Sequence, residues 1–251
     1  MGRCSTATPS LKSELSVTAT LPLPSERLAA VRGRIDTASR EAGRTSKDVT
    51  LIAVSKQQSI EAVSELADLG QRDFGENYLQ EGLQKIEALR DHRLVWHFIG
   101  QLQSNKTRPV AERFDWVHTI DQLKIAARLS EQRPFHAPAL SVCVQVKLVE
   151  EDSKGGVLLA DLPNLLGAIA MLPRLQLRGL MTIPPAETDL AQQRYWFAVL
   201  RRSFEAARDR HPTLDTLSMG MSADLESAVA EGATHVRIGT ALFGQRLQYL
   251  A

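Results

Sequence analysis

The 251-residue chain fits one large α/β domain, since barrels of that class run to about 250 residues. Thirty Lys and Arg against 29 Asp and Glu leave a formal charge of +1, which excludes a global electrostatic drive toward nucleic acid or an anionic membrane. Hydrophobic residues make up 43% but aromatics only 5%, so the core has to be built mostly from Leu, Ile, Val and Ala.

Residues 1–24 are rich in Ser, Thr and Pro and lack the apolar stretch of a secretory signal, so a disordered extension is expected there. Residues 25–251 read as a single domain. Ser25 to Gly43 has helical spacing at Leu28, Val31, Ile35 and Ala38, with Ser25 as the expected N-cap. Apolar runs then alternate with amphipathic helices. The runs are Val49–Ser55, Asp73–Gly75, Val95–Ile99, Trp116–Ile120, Leu140–Val146, Leu177–Ile183, Thr216–Met219 and His235–Ile238. The helical patterns between and after them are Ile60–Leu69, Leu79–Leu89, Gln122–Glu131, Leu162–Met171, Ala191–Arg210 and Ala223–Glu231. Strands alternating with single helices predict a parallel sheet of βαβ units, and eight units close into a (β/α)8 TIM barrel. A doubly wound open sheet would carry a Gly-rich loop after its first strand, whereas Ser55-Lys56-Gln57-Gln58 has no glycine.

Functional groups of such barrels collect at the C-terminal strand ends. Lys56 ends the first apolar run, and alternation puts it on the face of Ile52 and Val54. Position alone favours a solvated lysine. If that face points inward, desolvation makes the amine a nucleophile toward an aldehyde. On the last strand Arg237 and Gly239 share a face, and Thr240 follows at a helix start. The preceding unit brings Ser218 and Ser222 to the same corner, where a phosphate site is expected and where Ser222 also suits the cap of the next helix. Asn77 suits a ring substituent and Met181 a flat ring. His97 reads as a hydrogen-bonded structural residue, and His118 and His235 lack metal-ligand spacing, so no metal site is expected. Lys154 lies on the loop after the fifth predicted strand and faces the same rim. Cys143 reads as a buried small hydrophobe, and with Cys4 in the leader no disulfide framework is expected; a reducing, cytoplasmic setting fits.

The strings Ala53-Val54-Ser55-Lys56, Phe74-Gly75-Glu76-Asn77-Tyr78, Trp96 through Lys106, Leu217 through Ser222 and Val236-Arg237-Ile238-Gly239-Thr240 together resemble the pyridoxal 5′-phosphate (PLP) homeostasis family. That resemblance implies a fold type III barrel like the N-terminal domain of alanine racemase, with PLP held as an internal aldimine on Lys56. It implies that Asn77 and Met181 line the ring, that Ser218, Ser222, Gly239 and Thr240 hold the phosphate, and that Arg237 faces the pyridine nitrogen. A guanidinium there only donates, which leaves the ring a weak electron sink. The resemblance therefore implies a cofactor carrier, handing PLP to apo-enzymes, rather than an enzyme. Two positions depart from the family pattern: no proline follows Lys56, and Lys147 replaces a more usual asparagine. The alternative is an amino-acid racemase. Against it, a racemase takes an opposite-face tyrosine from a second β domain, for which the sequence shows no room, and that domain's absence also leads to the expectation of a monomer.

Overall fold

The structure, a computed structural model, describes residues 22–150, 155–187 and 189–244. Helix α1 (Pro24–Glu41) precedes β1 (Thr50–Val54), α2 (Ile60–Asp68), β2 (Asp73–Glu76), α3 (Leu79–Ala88), β3 (Val95–Phe98), α4 (Thr107–Arg113), β4 (Trp116–Ile120) and α5 (Leu123–Gln132). The chain continues through β5 (Leu140–Lys147), β6 (Val157–Leu158), α6 (Leu162–Ala170), β7 (Leu175–Met181), α7 (Leu190–Arg208), β8 (Thr216–Ser218), α8 (Leu225–Ala230), β9 (His235–Ile238) and α9 (Thr240–Phe243). All pairings are parallel; β4 pairs with β5 and β1 with β9, so eight strands close into the expected (β/α)8 barrel. The two-residue β6 was not expected; it hangs on the end of β5 outside the ring.

The strands read as continuous apolar runs because both faces are covered. Leu51 and Ala53 join the layer packed under the helices, while the fully buried Ile52 lies apart from it, inside the barrel. Helix α1 buries the anticipated stripe of Leu28, Val31, Ile35 and Ala38. Its Arg34 grips Glu226 of α8 through two bonds of 2.7 and 2.9 Å and the Ser222 carbonyl through a third of 2.9 Å. That helix thereby braces the corner where β8 and β9 end. Among the described residues no helix is long and apolar enough to cross a membrane.

Two expected caps are corrected. Helix α1 begins at Pro24 with Leu23 as N-cap, not at Ser25. Proline at the first helical position presets φ, and the Glu26 carboxylate accepts the Leu23 N–H at 2.8 Å. Ser222 does not cap α8. The cap position is Asp224, two residues later than the serine signal suggested, and its carboxylate accepts Met221 N–H at 2.5 Å.

Candidate functional site

Lys56 stands just beyond β1, half-buried, in a turn closed by a 3.0 Å bond from Gln58 N–H to Ser55 O. Gln57, at the third position of that turn, has φ +59°. A left-handed residue other than glycine costs on the order of 1–3 kcal/mol, so contacts around the turn must over-determine it. Those contacts come from β2 and α3. Lys85 Nζ donates to Ser55 O at 2.6 Å, Glu76 Oε1 at 2.8 Å and Glu81 Oε1 at 2.6 Å, which uses all three of its protons. Glu76 Oε1 also accepts the Ser55 hydroxyl at 2.6 Å, and Glu81 Oε1 accepts Gln57 N–H at 2.5 Å. Helix α3 comes this near because residue 82 is glycine: a Cβ there would lie 2.8 Å from the Phe114 ring and 3.3 Å from Glu76 Cβ. Burial pushes the Glu76 carboxyl above its ordinary range, against the pull of Lys85.

Asn77 follows β2, next along the barrel mouth. Its Oδ1 is buried and has no hydrogen-bond partner among the described residues. The loop after β3 presses on the Asn77 backbone, and a Cβ at Gly100 would run into the Asn77 carbonyl. Gly100→Ala is therefore expected to cost about 1–3 kcal/mol, the usual size of an overpacking penalty. Urea unfolding measures it, and a loss below a few tenths would show that the loop moves aside freely.

The other neighbour of β1 is β9. The register Ala53↔Ile238 brings Gly239 and Thr240 beside the Lys56 turn, with Gly239 so near β1 that a Cβ would lie 3.3 Å from Val54 O. Ser222 is half-buried and Thr240 exposed at this corner. Met181 is fully buried at the end of β7. Ser218, the last residue of β8, stands beside Arg237. Its hydroxyl is fully buried and committed inside the barrel, because the pleat of β8 turns it toward Arg237.

Below the mouth a hydrogen-bonded chain crosses the barrel. Arg237 Nη1 donates to Ser218 Oγ at 2.9 Å and Nη2 to Thr182 O at 2.9 Å. Ser218 Oγ lies 2.8 Å from His118 Nδ1, His118 Nε2 lies 2.9 Å from His97 Nδ1, and His97 Nε2 lies 3.0 Å from Asp73 Oδ1. A guanidinium only donates and a carboxylate only accepts, so the ends fix the direction of the whole chain. Ser218 gives its proton to His118 Nδ1, His118 donates from Nε2 to His97, and His97 donates from Nε2 to Asp73. Each imidazole is then satisfied as a neutral ring. Burial, then the neighbouring His97, holds His118 well below the ordinary imidazole range. Burial likewise brings His235, whose ring lies tilted 5.2 Å from that of Trp116, down to about 3. Arg237 is lowered by burial to about 10, so it stays charged at neutral pH.

Sequence reasoning singled out His97, His118 and His235 but not their convergence, and it gave no role to Glu76, Glu81 or Lys85. The i, i+4 spacing of Glu81 and Lys85 was the available signal. Cys143 is fully buried, as expected, and burial pushes its thiol up. Tyr78 is 53% exposed at the start of α3. Among the described residues no group of three or more His, Cys, Asp or Glu side chains is arranged to hold a metal ion. Cys4 and Lys154 lie outside the described residues.

Residues 27–247 match a family model described as the alanine racemase N-terminal domain. The chain is 51% identical over 225 residues to a pyridoxal phosphate homeostasis protein of Escherichia coli, spanning 87% of this chain and 95% of that one. It is 56% identical over 221 residues to one of Pseudomonas aeruginosa, spanning 88% and 95%. The structure of PipY from Synechococcus elongatus with PLP bound superposes with a TM-score of 0.78 at 40% identity, over 88% of this chain and all 100% of that one. An alanine racemase from Corynebacterium glutamicum superposes with a TM-score of 0.64 at 20% identity, over 89% of this chain and 63% of that one, a likeness of fold alone.

Proposed function

Since the chain belongs to the pyridoxal phosphate homeostasis protein family, on the alanine racemase N-terminal barrel, we propose that it binds PLP at the barrel mouth through Lys56 and serves cofactor homeostasis rather than catalysis. One observation carries this reading. The strand order β2-β1-β9 sets Asn77, Lys56 and the Gly239–Thr240 corner side by side around the mouth. PLP carries a hydroxyl, an aldehyde and a phosphate-bearing methylene on three successive ring carbons. The order of groups on the protein thus repeats the order of substituents on the ligand.

The residues present fit that ligand. The orphaned Asn77 Oδ1 and its amide offer partners to the ring hydroxyl, Ser222, Gly239 and Thr240 offer hydroxyls and N–H groups to the phosphate, and Met181 packs the ring. When bound, PLP supplies an aldehyde that condenses reversibly with an amine and an aromatic ring able to take up electrons. Lys56 would hold the aldehyde carbon as a Schiff base, one water being released. Arg237 would face the ring nitrogen with a group that stays protonated at neutral pH and is fixed in place by Ser218 and Thr182. A donor there leaves the nitrogen unprotonated, which suits holding and exchanging amines better than stabilising a carbanion. The same exchange permits handing PLP to apo-enzymes.

The test is the visible spectrum of purified protein after PLP is added, with Lys56→Ala alongside. The wild type is expected to show an imine band that borohydride removes, with mass spectrometry placing the reduced adduct on Lys56. A band that survives Lys56→Ala unchanged would sink the assignment. Turnover of alanine enantiomers at enzyme-like rates would favour the racemase instead.

A further inference from the structure

We propose that Glu81, Lys85 and Glu76 are positioning residues for the reaction of Lys56: they set the backbone turn that aims its amine at the barrel mouth. This rests on the Schiff-base reading above. The cluster touches the chain on both sides of Lys56, just beyond the end of β1. On the near side it takes the Ser55 carbonyl through Lys85 at 2.6 Å and the Ser55 hydroxyl through Glu76 at 2.6 Å. On the far side it takes the Gln57 N–H through Glu81 at 2.5 Å. Strand pairing does not need these bonds, because Ser55 N–H already pairs with Gly75 O at 3.0 Å.

The choice of groups also points to positioning. The Lys85 and Glu76 side chains are 3% and 0% exposed, and an apolar pair would pack α3 on β2 without desolvating two charges. What an apolar pair cannot do is hold a carbonyl and an N–H of a turn whose third residue is left-handed at φ +59°. Lys56 must present an unprotonated amine along the line of attack on the aldehyde carbon, where the C–N bond forms and the carbonyl oxygen leaves as water. Small errors in that approach cost rate, and a turn held at both ends limits them.

Glu81 is the member to change, because its side chain is 23% exposed and its loss leaves the Lys85–Glu76 pair intact. Stopped-flow growth of the imine band with PLP measures the reacting geometry. Equilibrium binding of pyridoxine 5′-phosphate, which has an alcohol in place of the aldehyde, measures the pocket alone. Glu81→Ala is expected to slow imine formation by about tenfold or more, the worth of a hydrogen bond to a charged acceptor. Its affinity for pyridoxine 5′-phosphate should stay within about twofold. Glu81→Gln, which keeps an oxygen for the Gln57 N–H, should recover most of the rate. An unchanged rate in Glu81→Ala, an equal fall in rate and in pyridoxine 5′-phosphate affinity, or no recovery in Glu81→Gln would each overturn the proposal. A wild type without an imine on Lys56 would overturn the Schiff-base reading and this proposal with it, whereas a wild-type imine with an unchanged Glu81→Ala overturns this proposal alone.

Discussion

Lys85→Met is expected to lower the unfolding free energy by about 3–5 kcal/mol at neutral pH, the usual result of breaking a buried ion pair from one side. Methionine fills similar volume, so lost packing contributes little. The cost comes from Glu76, whose carboxylate would be left with the Ser55 hydroxyl at 2.6 Å as its one remaining partner among those described. Its Oε2 has no partner even in the intact cluster. The variant has its own pH signature. Burial already raises the Glu76 pKa and Lys85 opposes that rise, so removing Lys85 raises it further. A carboxyl with a raised folded pKa takes up its proton more readily when folded, so acidification relieves it. The gap between variant and wild type should therefore narrow as pH falls toward that raised pKa. Adding Glu76→Gln removes the stranded charge and should return a large part of the loss; the double-mutant cycle reads the coupling directly. A single-variant loss below about 1 kcal/mol in urea unfolding would mean that water screens the pair, contrary to its burial.

The barrel was legible because its signals are local. Runs such as Leu51–Val54 and the four-point stripe of α1 report their own burial by period, and the closing of the ring follows from counting units. The same alternation, counted from Ile52, assigns a side to Lys56. The interior chain was not. Asp73, His97, His118, Ser218 and Arg237 come from five different strands, β2, β3, β4, β8 and β9. Only registers such as Gly75↔His97 and Ser218↔His235 bring them to one lumen, and nothing within a window of sequence encodes a register between distant strands. The bonds of Ser218 to Arg237 and His118 were hidden for that reason, since the sequence shows a serine near a strand end and not its inward neighbours. Lys85 was passed over for the converse reason. A Glu and a Lys four apart on an amphipathic helix ordinarily form a solvated pair, and what buries this one is the approach that Gly82 permits.

Two imidazoles, His118 of that interior chain and His235 beside it, make the protein acid-sensitive well above the range where carboxylates titrate. His118 and His235 are held neutral in the fold far below the imidazole value of about 6.5 that they recover on unfolding. Below that pH the unfolded chain binds a proton at each and the folded chain does not, so stability falls as pH falls. His235 alone should remove about 2 kcal/mol between pH 7 and pH 5 and continue to cost stability down toward its folded value of about 3, and His118 adds a loss of the same sign. The groups facing His235 pull both ways: His97 and Arg178 oppose its protonation while Asp73 and Asp215 favour it, and burial outweighs them all. Carboxyls modify the curve without reversing it. Glu76 and Asp224 are raised by burial and gain stability on acidification. Asp215, which burial raises but Arg178 and Thr216 pull down further, loses stability only below the ordinary Asp range. Urea unfolding at a series of pH values gives the slope. His235→Asn is expected to be less stable than wild type at pH 7.5, having lost the ring contact with Trp116, yet flatter by about one proton between pH 6 and pH 5. A slope that His235→Asn leaves unchanged would mean that the His235 imidazole protonates in the folded barrel as readily as in the unfolded chain, contrary to the burial that holds it down.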